Sequence, residues 1–130
     1  MLATRYPDGI AEGVFPLTGN ADAIANFSGD GPQGLGTFFV ATAGVDAITL
    51  AAPLAGNPYA TGGQQPTGDD GRIIMILSLG AYAHTVTTPA NGINGAYHIA
   101  TFAAAVANYV TFIAYNGVWY MIEQLGITLS

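Results

Sequence analysis

Near the C-terminus the sequence runs YVTFIAYNGVWYMI, residues 109–122, and this stretch most narrows what the chain can fold into. Two apolar runs rich in aromatic and β-branched residues flank Asn116-Gly117, the dipeptide that best tolerates the two positive φ angles of a type I′ turn. A tight two-residue β-hairpin follows, and its turn fixes the register. Tyr115 faces Val118, Ile113 faces Tyr120 and Thr111 faces Ile122 on one side of the ribbon. Ala114 with Trp119 and Phe112 with Met121 occupy the other. Both faces are therefore apolar, whereas a hairpin in a one-sided sheet carries polar residues toward solvent. This one asks to be covered twice, by a second sheet or by a neighbouring copy of the chain. Each covered ring contributes about 4–6 kcal/mol as an upper bound, from about 150–250 Å² at roughly 25 cal/mol per Å². Phe112, Tyr115, Asn116, Gly117, Trp119 and Tyr120 are thus the expected core hairpin.

The charge inventory points the same way. At 130 residues the chain makes one domain with a single core. Two arginines, eight acids and no lysine leave only 8% charged residues, against about a quarter in an ordinary soluble domain. β-Proteins commonly guard exposed sheet edges with lysine, so a lysine-free chain is expected to close its edges against partner subunits. A net charge of -6 offers no basic patch for phosphates, which argues against a nucleic-acid partner. Cysteine is absent, so disulfides and thiolate metal sites are not available. The first 15 residues lack the basic and apolar blocks of a secretory signal, and no run approaches the roughly 18 apolar residues of a membrane-spanning helix.

Residues 1–36 read as an extended N-terminal arm. Three prolines and seven glycines interrupt it. Apolar side chains nevertheless recur along it, among them Tyr6, Ile10, Val14, Phe15, Leu17 and Phe27. Such a segment lies across a surface, either that of its own domain or that of a neighbouring subunit. Residues 21–27 could form one helical turn.

The body, residues 37–130, alternates strand and turn. Strands are expected over 37–43, 45–53, 72–79 and 83–89. The run RIIMILSL, residues 72–79, is almost continuously apolar, the mark of a central strand covered on both faces. Residues 54–71 form the longest irregular stretch, and a loop of that length is either functional or held by a partner. For residues 97–108 a helix, favoured by three consecutive alanines, competes with a strand over Tyr97–Phe102 followed by a turn around Ala107-Asn108. With the hairpin and a last strand after Leu125, about eight short strands result. The expected class is all-β, an antiparallel β-sandwich or small barrel.

The succession GVDAITL, GDDGRIIMIL, AHTVTTP, GINGAYHIATF and VTFIAYNGVWYMI, spanning about residues 37–123, resembles the β-rich modules of tailed-bacteriophage structural proteins. Such modules occur in capsid decoration (cement) proteins and in tail fibres. The resemblance implies a homotrimeric, non-enzymatic virion component with no cofactor and carries no catalytic residue over. A short chain without a long repeated shaft leans toward decoration of the outer capsid surface, with the major capsid protein as partner. The alternative is a fibre or receptor-binding domain that recognises a host glycan. In the decoration reading Tyr6, Ile10, Val14, Phe15, Leu17, Phe27 and Tyr59 are the expected contacts with the shell or a sister subunit.

Candidate chemistry is sparse. His84 and His98 are the only histidines, no serine sits in a nucleophile elbow, and no catalytic or metal site is expected. His84 reads as a hydrogen-bonded polar residue at a strand edge, or, in a trimer, as one of three histidines lining the axis. Asp69-Asp70-Gly71 reads as a turn before a strand, because the ligand alternation of a calcium loop is missing. Arg72, a scarce charge in an apolar strand, calls for an acidic partner that the sequence does not name. Trp119 with Tyr120 reads as buried hairpin core, with a sugar-stacking platform as the competing role.

Overall fold

The computed structural model describes residues 14–24, 35–57 and 68–130. Among these residues every regular element is a strand. In chain order they are β1 (Val14–Leu17), β2 (Ala23–Ile24), β3 (Leu35–Val40), β4 (Ala47–Leu50), β5 (Ile73–Ser78), β6 (Thr85–Thr87), β7 (Ile99–Phe102), β8 (Tyr109–Tyr115), β9 (Val118–Leu125) and β10 (Ile127–Leu129). They form two five-stranded sheets, ordered β1-β3-β5-β8-β9 and β10-β7-β6-β4-β2. Neither closes into a barrel.

The chain reaches this arrangement by winding. Each of its first three circuits gives one strand to the first sheet and the next to the second. Consequently β1, β3 and β5 stack in parallel, as do β2, β4 and β6. After β6 the rule changes. β7 lies antiparallel to β6, β8 to β5, β9 to β8 and β10 to β7, so the last third of the chain extends both sheets as an antiparallel cap. The all-β class holds, but the purely antiparallel expectation does not. Parallel neighbours need a crossover, and here the crossover is a strand of the opposite sheet, which local turn signals do not reveal.

Two further expectations are corrected. Val14–Leu17 and Ala23–Ile24, inside the stretch read as an arm, pair with β3 and β4, and Leu17 and Ile24 are buried in the core. Ala23–Ile24 is a strand rather than part of a helical turn. The competing readings of residues 97–108 resolve to a strand at Ile99–Phe102 and a turn in which Ala107 has φ 72°.

The inward parities of both sheets enclose one apolar cluster. Phe38, Val40, Ile74, Ile76, Val110, Phe112 and Trp119 come from the first sheet, and Ile24, Ile48, Leu50, Val86, Ala100 and Phe102 from the second. The hairpin turns at Asn116 (φ 51°) and Gly117 (φ 84°), as a type I′ turn requires. Its register follows the expected pairs from Tyr115↔Val118 to Phe112↔Met121. There a bulge intervenes, and Thr111 faces Glu123 rather than Ile122. The extra residue lets β9 bend at the sheet margin.

Candidate functional site

The feature that stands out is the outer face of the first sheet. Strand registers place Ile73, Ile113 and Tyr120 in one row across it, Thr37, Met75, Thr111 and Glu123 in a second, and Phe39, Leu77, Tyr109 and Leu125 in a third. Apart from buried Thr111 these side chains are half-buried or exposed, although most are apolar. Exposure is greatest along the β8–β9 flank, where Tyr115 is 61% exposed and Ile122 and Leu125 are each 53%. The second sheet covers the opposite parity only. The hairpin's two apolar faces thus have different fates: Phe112, Ala114 and Trp119 are sealed in the core, while Ile113, Tyr115 and Tyr120 face outward. Glu123 is the single acid in these rows, and it lies near the Tyr109 phenol. Desolvation first, then the Glu123 charge, hold the Tyr109 phenol above its ordinary pKa.

The sheet margins are guarded without lysine. β1, one edge of the first sheet, contains Pro16, which lacks a backbone donor. At the other edge, Trp119 exchanges backbone bonds with the 92–94 turn, donating to the Gly92 oxygen and accepting from Asn94 N, each at 2.9 Å. Asn94 Oδ1 also accepts from Met121 N, and the bulge interrupts what remains of that edge. In the second sheet the edge strands β2 and β10 have only two and three residues. Short strands, a proline, a plug and a bulge are recognised ways to blunt an edge. Among the described residues the edges thus carry blunting devices of their own, and the apolar outer face of the first sheet stays uncovered.

The scarce ionisable groups sit instead in the connections between sheets. Asp22, Asp46 and His84 immediately precede β2, β4 and β6. Asp22 N donates to Asp46 Oδ1 at 3.0 Å, and Asp46 N donates to His84 Nδ1 at 3.0 Å. Because Nδ1 accepts, neutral His84 carries its proton on Nε2. That atom and Asp46 Oδ2 are buried with no hydrogen-bond partner. Burial raises the Asp46 carboxyl to about 6, with the Asp22 backbone N–H opposing the shift and the Asp22 carboxylate adding to it, whereas burial lowers His84. His84 packs beside Phe102, with ring centroids 6.0 Å apart.

Arg72 finds its acid in Asp69, with Nε 3.6 Å from Oδ1 and both side chains buried. Asp70 and Gly71 form the expected turn before β5. Among the described residues no three His, Cys, Asp or Glu side chains gather as a metal-binding group. A shallow cleft of about 380 Å³ lies on the second sheet against Ala23, Ile24, Thr49, Leu50 and residues 87–89. Its walls are almost wholly apolar, and neither Asp46 nor His84 reaches it.

The expected contact residues divide. Tyr6, Ile10, Phe27 and Tyr59 lie outside the described residues, and Val14 falls in β1. Phe15 is 44% exposed and stacks on Phe38 with centroids 5.2 Å apart, while Leu17 belongs to the core. Trp119 has no exposure at all and its indole donates to Ala51 O, which leaves it unable to serve as a sugar platform. The sequence does not mark the outward row of β5 as a surface, although the almost continuous apolar run of residues 72–79 asks for cover on both sides. No protein-family model matches this chain, and no curated protein matches it.

Proposed function

We propose that this protein is a structural virion component, a decoration protein that sits as a homotrimer on the outside of a phage head and bridges neighbouring major capsid subunits. The observation that carries the reading is the outer face of the first sheet, whose residue types suit burial while the second sheet covers only the opposite parity. A face of that kind belongs to a part of an assembly. The buried placement of Asp46, His84, Asp69 and Arg72 supports a non-catalytic role, because these groups brace connections between strands and none of them lines the cleft. A trimer on a local threefold position engages several shell subunits at once, and the resulting effective concentration replaces strong single contacts. Shell contacts from the N-terminal stretch fall to residues 1–13 and 25–34, since residues 14–17 and 23–24 are committed to the sheets.

The fibre or glycan-receptor reading loses its best platform with Trp119 buried. The deciding experiment mixes purified protein with undecorated heads and measures occupancy and the resistance of the shell to heat or chelation. Saturable occupancy with a stabilised shell is expected. Glycan binding without shell binding reverses the order of the two readings.

A further inference from the structure

We propose that the outer face of the first sheet is the surface through which copies of this chain associate, and that they meet face on rather than edge to edge. This rests on the self-association half of the function proposed above and is independent of the shell.

The occupant follows from four observations. β5 is apolar at both parities: Ile74 and Ile76 are fully buried inward, and Ile73, Met75 and Leu77 stand half-buried outward, where a one-sided sheet would carry polar residues. The composition of that outward row is that of a second core cut open, as in permanent homo-oligomers. Size fits as well. Five strands about 4.8 Å apart and about six residues long at roughly 3.3 Å each give a footprint of about 480 Å². Two apposed faces therefore remove roughly 1,000 Å² before side-chain corrugation is counted, the threshold for a specific interface, and three faces turned toward a threefold axis about half as much again.

Charge selects the partner. Glu123 is the only ionisable acid in the three rows, so a cationic partner finds little to pair with. The other described carboxylates, Asp22, Asp46, Asp69 and Asp70, lie in the connections between the sheets. Two copies can therefore bring these faces together with Glu123 as the single opposing carboxylate among the described residues of the three rows. Edge pairing is disfavoured, because Pro16, the Asn94 plug, the β9 bulge and two very short strands leave no long free ladder.

The test is sedimentation equilibrium of the full chain at micromolar concentration, where the expected species is a multiple of 13.3 kDa. Ile113→Glu, on β8 between Ile73 and Tyr120, weakens association by about 100-fold or more, because association would bury an unpaired carboxylate. Thr49→Glu, on the exposed outer face of the second sheet, leaves association unchanged. A second readout does not depend on Ile113→Glu folding. The chain has no cysteine, so Tyr120→Cys accepts a single nitroxide label. Dipolar broadening that disappears on dilution with unlabelled protein is expected at Tyr120→Cys and absent at Thr49→Cys. A monomeric wild type, or broadening at Thr49→Cys alone, overturns the inference. Self-association with no affinity for undecorated heads leaves the inference standing and removes the head-decoration reading; a monomer that binds heads does the reverse.

Discussion

The indole Nε1 of Trp119 donates to the carbonyl oxygen of Ala51 at 2.9 Å, joining residues 68 positions apart in sequence. Trp119 belongs to β9 in the first sheet and Ala51 follows β4 in the second, so this bond bolts the sheets together beside the core. Trp119→Phe keeps most of the apolar volume but leaves the Ala51 oxygen without its donor, which costs about 2–3 kcal/mol. Trp119→Ala adds a cavity and costs about 3–5 kcal/mol. Urea unfolding followed by circular dichroism measures both; equal stability of Trp119→Phe and wild type would refute the bolt.

Two glycines with positive φ separate conformational strain from crowding. A Cβ at Gly117 (φ 84°) would approach only the Pro53 oxygen, at 3.9 Å, so Gly117→Ala should cost about 1 kcal/mol, the left-handed penalty alone. At Gly126 (φ 72°) the same atom would lie 2.5 Å from the Asn108 side chain. Asn108 is buried and donates from Nδ2 to Ala103 O, so it cannot yield without breaking that bond. Gly126→Ala should therefore cost at least about 2 kcal/mol, combining strain with the lost bond. Thermal melts of the two variants should differ in that order.

The pH dependence of stability carries two opposing contributions. Asp46 has its folded pKa raised from 3.8 to about 6. Its stabilising contribution is present below about pH 4 and is lost as pH rises through 6. His84, lowered by burial, works the other way: below its unfolded value of 6.5 the unfolded chain binds the proton first, and stability falls with falling pH. The slopes partly cancel between pH 4 and 6.5. Asp46→Asn removes one of them, because its amide does not ionise and its oxygen can still accept from Asp22 N. The variant should exceed wild type at pH 8 by up to about 3 kcal/mol and lose more stability than wild type between pH 7 and 5. Urea midpoints across that range measure both, and parallel curves for the two proteins would remove Asp46 from the balance.

What the sequence disclosed depended on the range of the signal. The Asn116-Gly117 turn and the alternating residues beside it are local, and the hairpin appears with the expected pairs up to the bulge. The bulge escaped notice because Ile122 continues the apolar pattern with no glycine to mark it. The parallel stacks were not legible, since nothing in Val14–Leu17 states that its partner lies at Thr37–Val40 rather than in a nearer hairpin. The same limit hid the Asp22, Asp46 and His84 series: each polar residue looks like an ordinary strand boundary until the coils place them side by side. For the face, the apolar residues on both parities of β5 announced two-sided burial, but only the sheet order shows which side the chain itself covers.

The acidic pair before β5 gives a last contrast. Asp69 is buried and works three ways: its backbone N donates to Leu54 O at 2.7 Å, its Oδ2 accepts from Leu54 N at 2.8 Å, and its Oδ1 stands 3.6 Å from Arg72 Nε. The carboxylate of its neighbour Asp70 accepts only from Asn116 N at the exposed hairpin turn, while the Asp70 backbone N donates to Gly56 O at 2.9 Å. Asp69→Ala removes the carboxylate from beside a buried guanidinium and frees the Leu54 donor, so it should cost about 3–5 kcal/mol. Asp70→Ala should cost less than about 1 kcal/mol. If the large loss arises from the broken Asp69–Arg72 ion pair, adding Arg72→Met to Asp69→Ala recovers part of it, because an apolar side chain of similar length needs no counter-charge there. Denaturation of the four proteins forms the cycle. Additive losses would assign the damage to the Leu54 bonds instead of to the charge, while a double variant more stable than Asp69→Ala alone places the Asp69–Arg72 pair at the root of β5.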